Sequence, residues 1–198
     1  MPLMADDFLI VGITLPAADV EGEATRIVEL LASGAVDRMH LRKPDAGESV
    51  LRKLLDAIPR EYHSRLSLHD APWLTEEYPA VGFHLNSRYP GRVSAAMLSR
   101  SCHSLDEIAA SGPELDYVTL SPVYDSISKP GYRGAGFAGN QPILSLRKVV
   151  ALGGVTPGRF GELKREGFSG AAMLGYLWNP QRSVADIAYE IKCKRKFQ

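Results

Sequence analysis

The glycine pair Gly153-Gly154 is the strongest chemical signal in the chain. It follows the apolar run Val149–Leu152, and Thr156-Pro157, a good helix-opening pair, comes just after it. Glycines let backbone N–H groups approach an anion, and a helix N-terminus adds positive potential. The segment Gly170–Gly175 has the composition of a second half of such a phosphate site. His103 ends another apolar run, and an imidazole with an unperturbed pKa near 6.5 suits proton transfer at neutral pH. The plainer alternative for His103 is a rim histidine satisfied by a carbonyl. His69 and Asp70 are adjacent, so on a strand they point to opposite faces and make no metal pair by themselves. His84, inside an apolar run, reads as structural. Arg42, Lys43 and Asp45 follow one run, and Ser101 lies at the end of another. Ser126, Ser128 and Lys129 lie in a Gly-, Ser- and Pro-rich stretch over 122–141. Lys129 there is either an anion clamp or an ordinary solvated lysine.

These residues recur at the ends of short runs rich in Val, Ile and Leu: Phe8–Thr14, Val36–Leu41, Leu66–His69, Val81–Leu85, Leu98–Cys102, Tyr117–Leu120, Val149–Leu152 and Gly170–Leu174. Helix-period segments separate many of them. Val20, Ala24, Ile27, Val28 and Leu31 share one face and stop at Gly34. Leu51, Leu54, Leu55 and Ile58 share another and stop at Pro59. Ser104 and Glu107 form a capping box, and Thr156-Pro157 opens a helix running to Gly167. Alternating strands and helices without hairpin signals predict parallel βα units and a single-domain (β/α)8 TIM barrel over residues 1–198. An open doubly wound sheet is the alternative. Active groups of a barrel stand where strands end, and the loops after its last two strands are its usual phosphate site. The unpatterned stretch 122–141 is long for a βα loop and reads as a lid or binding loop.

Composition removes several functions. The chain has 198 residues, with 23 Lys+Arg against 23 Asp+Glu, so it carries no electrostatic footprint for nucleic acid. No apolar run approaches the roughly 20 residues of a membrane helix. Asp6 and Asp7 precede the first apolar run, the reverse of a secretory signal. Two cysteines, Cys102 and Cys193, make neither a metal cage nor a disulfide framework, and a reducing cytoplasm is expected. The basic tail Lys192–Lys196 reads as a solvated helix end.

Six segments, in order, resemble the thiamine phosphate synthase and thiazole tautomerase family. His40-Leu41-Arg42-Lys43-Pro44-Asp45 is similar to the family's Gln-Leu-Arg-Glu-Lys-Asp, and Leu68-His69-Asp70 to its Ile-Asn-Asp. Val81–Leu85 resembles Gly-Val-His-Leu, and Asp116-Tyr117-Val118 resembles Asp-Tyr-Val. Residues 121–129 resemble Gly-Pro-Val-Phe-x-Thr-x-Thr-Lys, and Val150–Val155 the Gly-Gly phosphate turn. For a synthase, the resemblance implies joining a hydroxymethylpyrimidine diphosphate to a thiazole phosphate with Mg2+. Arg42, Lys43 and Lys129 would then bind diphosphate and Asp70 the magnesium, with Ser101 and Ser128 adding hydrogen bonds. Ser126, Gly153, Gly154 and Gly175 would hold the thiazole phosphate, and His69 would line the site.

The chain departs from the synthase pattern after His84-Leu85. Asn86-Ser87-Arg88-Tyr89 stands where a second acidic metal ligand belongs, and Arg88 offers itself to a diphosphate instead. Other segments resemble the tautomerase branch: Arg100–Glu107, Lys129–Gly134 and Gly154–Arg159. That likeness implies aromatisation of a carboxythiazole phosphate without a cofactor, with His103 as acid/base and Lys129 beside it. The first reading is therefore a tautomerase, with the synthase as its alternative and a thiazole- or thiamine-phosphate-binding barrel without chemistry as a third. Small-molecule phosphates are the implied partners, with a homo-oligomer as a further expectation.

Overall fold

The computed structural model describes residues 8–18, 20–124 and 142–196. Eight parallel strands close into a barrel in sequence order. They are β1 (Leu9–Ile13), β2 (Arg38–Leu41), β3 (Leu66–Leu68), β4 (Gly82–Leu85), β5 (Leu98–Cys102), β6 (Tyr117–Leu120), β7 (Val149–Leu152) and β8 (Gly170–Met173). Each lies within a predicted apolar run, and β1 pairs with β8 to close the ring. The open-sheet alternative is thereby excluded.

The helices are α1 (Glu23–Ala32), α2 (Glu48–Ala57), α3 (Leu74–Glu77), α4 (Leu105–Ala109), α5 (Pro142–Leu146), α6 (Phe160–Arg165) and α7 (Val184–Lys196). α1 buries Ile27 and Leu31 of its predicted face together with Leu30, and α2 buries Leu51, Leu54 and Leu55 as its spacing predicts. Ser104 caps α4 by accepting from the Glu107 N–H at 3.1 Å. The Glu107 carboxylate in turn accepts from the His103 N–H at 2.7 Å. One expectation changes: the Thr156 side chain makes no cap, and Pro157–Arg159 is a 3-10 turn before α6. No helix among the described residues is long and apolar enough to cross a membrane.

Strand alternation sorts side chains between two cores. Met39, Leu41, Leu66, Leu68, Phe83, Leu85, Val118 and Leu120 face the helices. The inward set is divided. Leu9, Val11, Ile13, Val150, Leu152, Ala172 and Leu174 make an apolar arc across β7, β8 and β1. The opposite arc is polar. The pairings Ile13↔His40, His40↔Ser67, His84↔Ser99 and Ser99↔Tyr117 place those polar residues at matching levels inside the ring.

Candidate active site

The polar arc is built from hydrogen-bonded pairs. His40 Nδ1 and His69 Nε2 share a hydrogen bond of 2.8 Å, and His40 Nε2 meets the Tyr117 hydroxyl. His84 Nδ1 bonds Ser99 Oγ at 2.7 Å and its Nε2 bonds Ser101 Oγ at 2.9 Å. The His69 and His84 rings stack with centroids 4.4 Å apart. His40, His69 and His84 are all buried. Burial is the largest cause that lowers their pKa values, to about 3 for His84 and well below the ordinary range for His40 and His69. All three are therefore neutral at pH 7. The same burial pushes Tyr117 up to about 12, so its hydroxyl keeps its proton.

Above this layer lies the barrel mouth. Asn86 fixes the loop after β4 by donating its side-chain N–H to the His69 carbonyl at 2.7 Å and the His84 carbonyl at 3.1 Å. Its Oδ1 accepts from the Arg88 N–H at 3.0 Å. That local turn delivers the Arg88 guanidinium to Asp70 Oδ1 at 2.6 Å. The other Asp70 oxygen, Oδ2, is buried without a hydrogen-bond partner among the described residues. Arg42 and Arg88 both lower the His69 pKa through their charge, after burial and the neighbouring imidazoles. The Arg42 backbone is clipped to Thr14 Oγ1 at 2.9 Å, and its guanidinium has no partner among the described residues.

The far rim is formed after β5, β6 and β7. His103 is exposed, and its Nδ1 lies 3.0 Å from the Ser121 carbonyl. A carbonyl only accepts, so Nδ1 is the donor of this contact, and in the neutral ring the lone pair is then on Nε2. Gly153 and Gly154 take positive φ values of 97° and 63°. A Cβ on Gly153 would meet Pro122 Cα at 2.9 Å, so this turn rests directly on the end of β6. Tyr124 donates its N–H to the Gly153 carbonyl at 3.1 Å, and the Arg159 guanidinium covers the Tyr124 ring at 4.5 Å. Gly175 is exposed, with open space where a Cβ would stand.

The expectation for Lys43 is corrected. Its side chain is fully buried, and its ammonium is held by the Leu15 carbonyl at 2.9 Å, the Ala17 carbonyl at 2.7 Å and Glu23 at 2.7–2.8 Å. Three donors meeting three acceptor groups leave none for a phosphate. Lys43 instead braces the loop after β1 against the start of α1. Ser126, Ser128 and Lys129 lie outside the described residues. His40 and Tyr117 are members of the site that residue type alone did not single out. The signal was present as period two: Arg38 and His40, Ser67 and His69, and Gly82 and His84 are each separated by an apolar residue.

Magnesium favours about six oxygen ligands in octahedral geometry. Asp70 offers one unpartnered oxygen, because Arg88 holds the other. Among the described residues, no cluster of three metal-ligating side chains includes it. The described residues by themselves do not make a protein-held magnesium site. The positive charge at this position comes from guanidinium.

Known proteins resemble the chain over most of its length. A thiamine-phosphate synthase from Parasynechococcus marenigrum is 27% identical over 194 residues, covering 88% of this chain and 54% of that protein. The chain thus spans about half the length of that relative. A thiamine-phosphate synthase from Thermus thermophilus is 31% identical over 137 residues, 62% of this chain and 64% of its own. The crystal structure of thiamine phosphate pyrophosphorylase from Bacteroides thetaiotaomicron superimposes with a TM-score of 0.75 at 29% identity, covering 96% of this chain and 98% of that one. The model of the thiamine monophosphate synthase family matches residues 10–177, and the chain belongs to that family.

Proposed function

We propose that the chain is a thiamine-phosphate synthase of thiamine biosynthesis. It would join a hydroxymethylpyrimidine diphosphate to a thiazole phosphate. The observation that carries this reading is the Arg88 guanidinium held on Asp70 at 2.6 Å at the barrel mouth, with Arg42 following β2. In the proposed reaction the pyrimidine carbon–oxygen bond breaks and diphosphate leaves with its electron pair. The thiazole nitrogen then forms the new carbon–nitrogen bond. Arg42 and Arg88 meet the charge that builds on the leaving group, as aimed donors do in other sites. The Gly153-Gly154 turn holds the thiazole phosphate. The buried imidazoles and Ser101 line the pyrimidine side. The isomerase preference drawn from the Arg100–Glu107 segment finds no support among the relatives, which carry the synthase name.

The tautomerase remains as a second reading on one observation. His103 keeps its Nδ1 hydrogen on the Ser121 carbonyl and leaves Nε2 as a base at the rim.

Both substrates, supplied with and without Mg2+, separate the readings when thiamine phosphate is followed by chromatography. Turnover is expected, with Arg42→Ala lowering it about 10–100-fold, the range of one lost charge-assisted contact. No thiamine phosphate, but a thiazole tautomerisation that falls about 100-fold or more in His103→Ala, would transfer the assignment to the second reading. Tight binding of thiazole phosphate with neither rate would leave a binding barrel.

A further inference from the structure

We propose that His40, His69 and His84 form a binding site for a transition-metal cation of the zinc class, set inside the barrel below the mouth. The three rings come from β2 and β4 and from the end of β3, which lies between them. One ligand nitrogen from each lies within 4.8 Å of the other two. A tetrahedral metal with bonds of about 2.0 Å to nitrogen needs ligand nitrogens about 3.3 Å apart. The 2.8 Å gap between His40 and His69 therefore opens by about half an ångström, and wider gaps close by small side-chain rotations.

The surroundings suit ligands rather than a bare hydrogen-bond ladder. A metal-bound imidazole keeps a hydrogen on its other nitrogen and gives it to an oriented acceptor. Such acceptors are in place. His40 Nε2 faces the Tyr117 hydroxyl, which leaves Nδ1 for the cation. His84 has a serine hydroxyl at each nitrogen, so one can hold the ring while the other is released. His69, at 6% exposure, is the member reached from the mouth. A site of three imidazoles favours Zn2+, Co2+ or Ni2+ over Mg2+, which prefers oxygen.

A second observation comes from the sequence. His40 and His69 replace the Gln and Asn of the motifs that these segments otherwise resemble. Both departures turn an amide into an imidazole, and both fall on the cluster. His40→Gln and His69→Asn are therefore the variants that remove a ligand and keep a polar side chain of similar size.

The test uses the tag-free full chain, stripped of metal and titrated with Co2+ while the visible ligand-field absorption is recorded. A saturable band at one equivalent is expected, displaced by Zn2+ and untouched by excess Mg2+. His40→Gln and His69→Asn, shown by circular dichroism to be folded, should each weaken Co2+ binding by more than the roughly 10–100-fold typical of losing an outer partner. Ser99→Ala should fall within that range. X-ray absorption on the zinc-loaded wild type needs no variant and should show scattering from three imidazoles. Absence of a saturable band, a band unchanged in the folded variants, or a sulfur shell from Cys193 would overturn the proposal.

Discussion

Lys43 and Glu23 show how a residue of the right type can serve the scaffold instead of the site. Both are buried, and their charged groups meet at 2.7 Å. Burial raises the Glu23 pKa and Lys43 opposes that rise, so the carboxylate depends on its partner to stay ionised. Removing one member of such a pair strands a buried charge. Lys43→Met should therefore cost about 3–5 kcal/mol in urea unfolding, and Glu23→Leu added to it should recover a large part. If Lys43 bound substrate phosphate instead, the single variant would keep its stability and lose only substrate affinity. Asp70 is the converse case. It keeps a buried oxygen at the mouth that has no partner among the described residues, as a group facing a ligand does.

The turn after β7 is the element on which phosphate binding rests. Gly153 has a φ of 97° and stands against Pro122, so any side chain there is both strained and crowded. Gly153→Ala should lower stability by about 1–3 kcal/mol in urea unfolding and weaken thiazole phosphate binding. Gly175→Ala, with open space around its Cβ, should leave the unfolding midpoint nearly unchanged. A neutral effect of Gly153→Ala on both readouts would show that the turn tolerates a side chain and is not shaped for an anion. The strands were legible because Val, Ile and Leu cluster only where a chain is buried on both faces. The Ser104 cap was legible because its partner is three residues away. The Thr156 cap was not, because the chain tightens into a 3-10 turn over Pro157–Arg159 and its hydroxyl bonds no N–H.

At the scale of the whole molecule, closure ties the two ends of the chain together. β1 pairs with β8, Trp178 donates its indole N–H to the Ile13 carbonyl at 2.7 Å, and Arg195 on α7 meets Asp37 at 3.0 Å. A ring with no free edge gains little from partial unfolding, so the chain should behave as one cooperative unit. Tryptophan fluorescence and far-UV circular dichroism are expected to give coincident urea transitions. Separated midpoints would divide the chain into independent parts. The barrel also arranges a neutral composition into opposed halves, with apolar side chains on the β7–β8–β1 side and imidazoles, hydroxyls and Arg38 on the other.

The sequence by itself located the eight strands and the main helices, because apolar runs and helix period are local properties. It also marked Arg42, Asp70, His103 and the Gly153-Gly154 turn as residues at strand ends. Only the tertiary structure decided that Lys43 turns toward Glu23, that Arg88 pairs with Asp70, and that three imidazoles share one layer. His40 and His69 touch across 29 positions of chain. Such contacts depend on the register between neighbouring strands and on ring closure. Those are set by the packing of all eight strands together, and no short stretch of sequence encodes them.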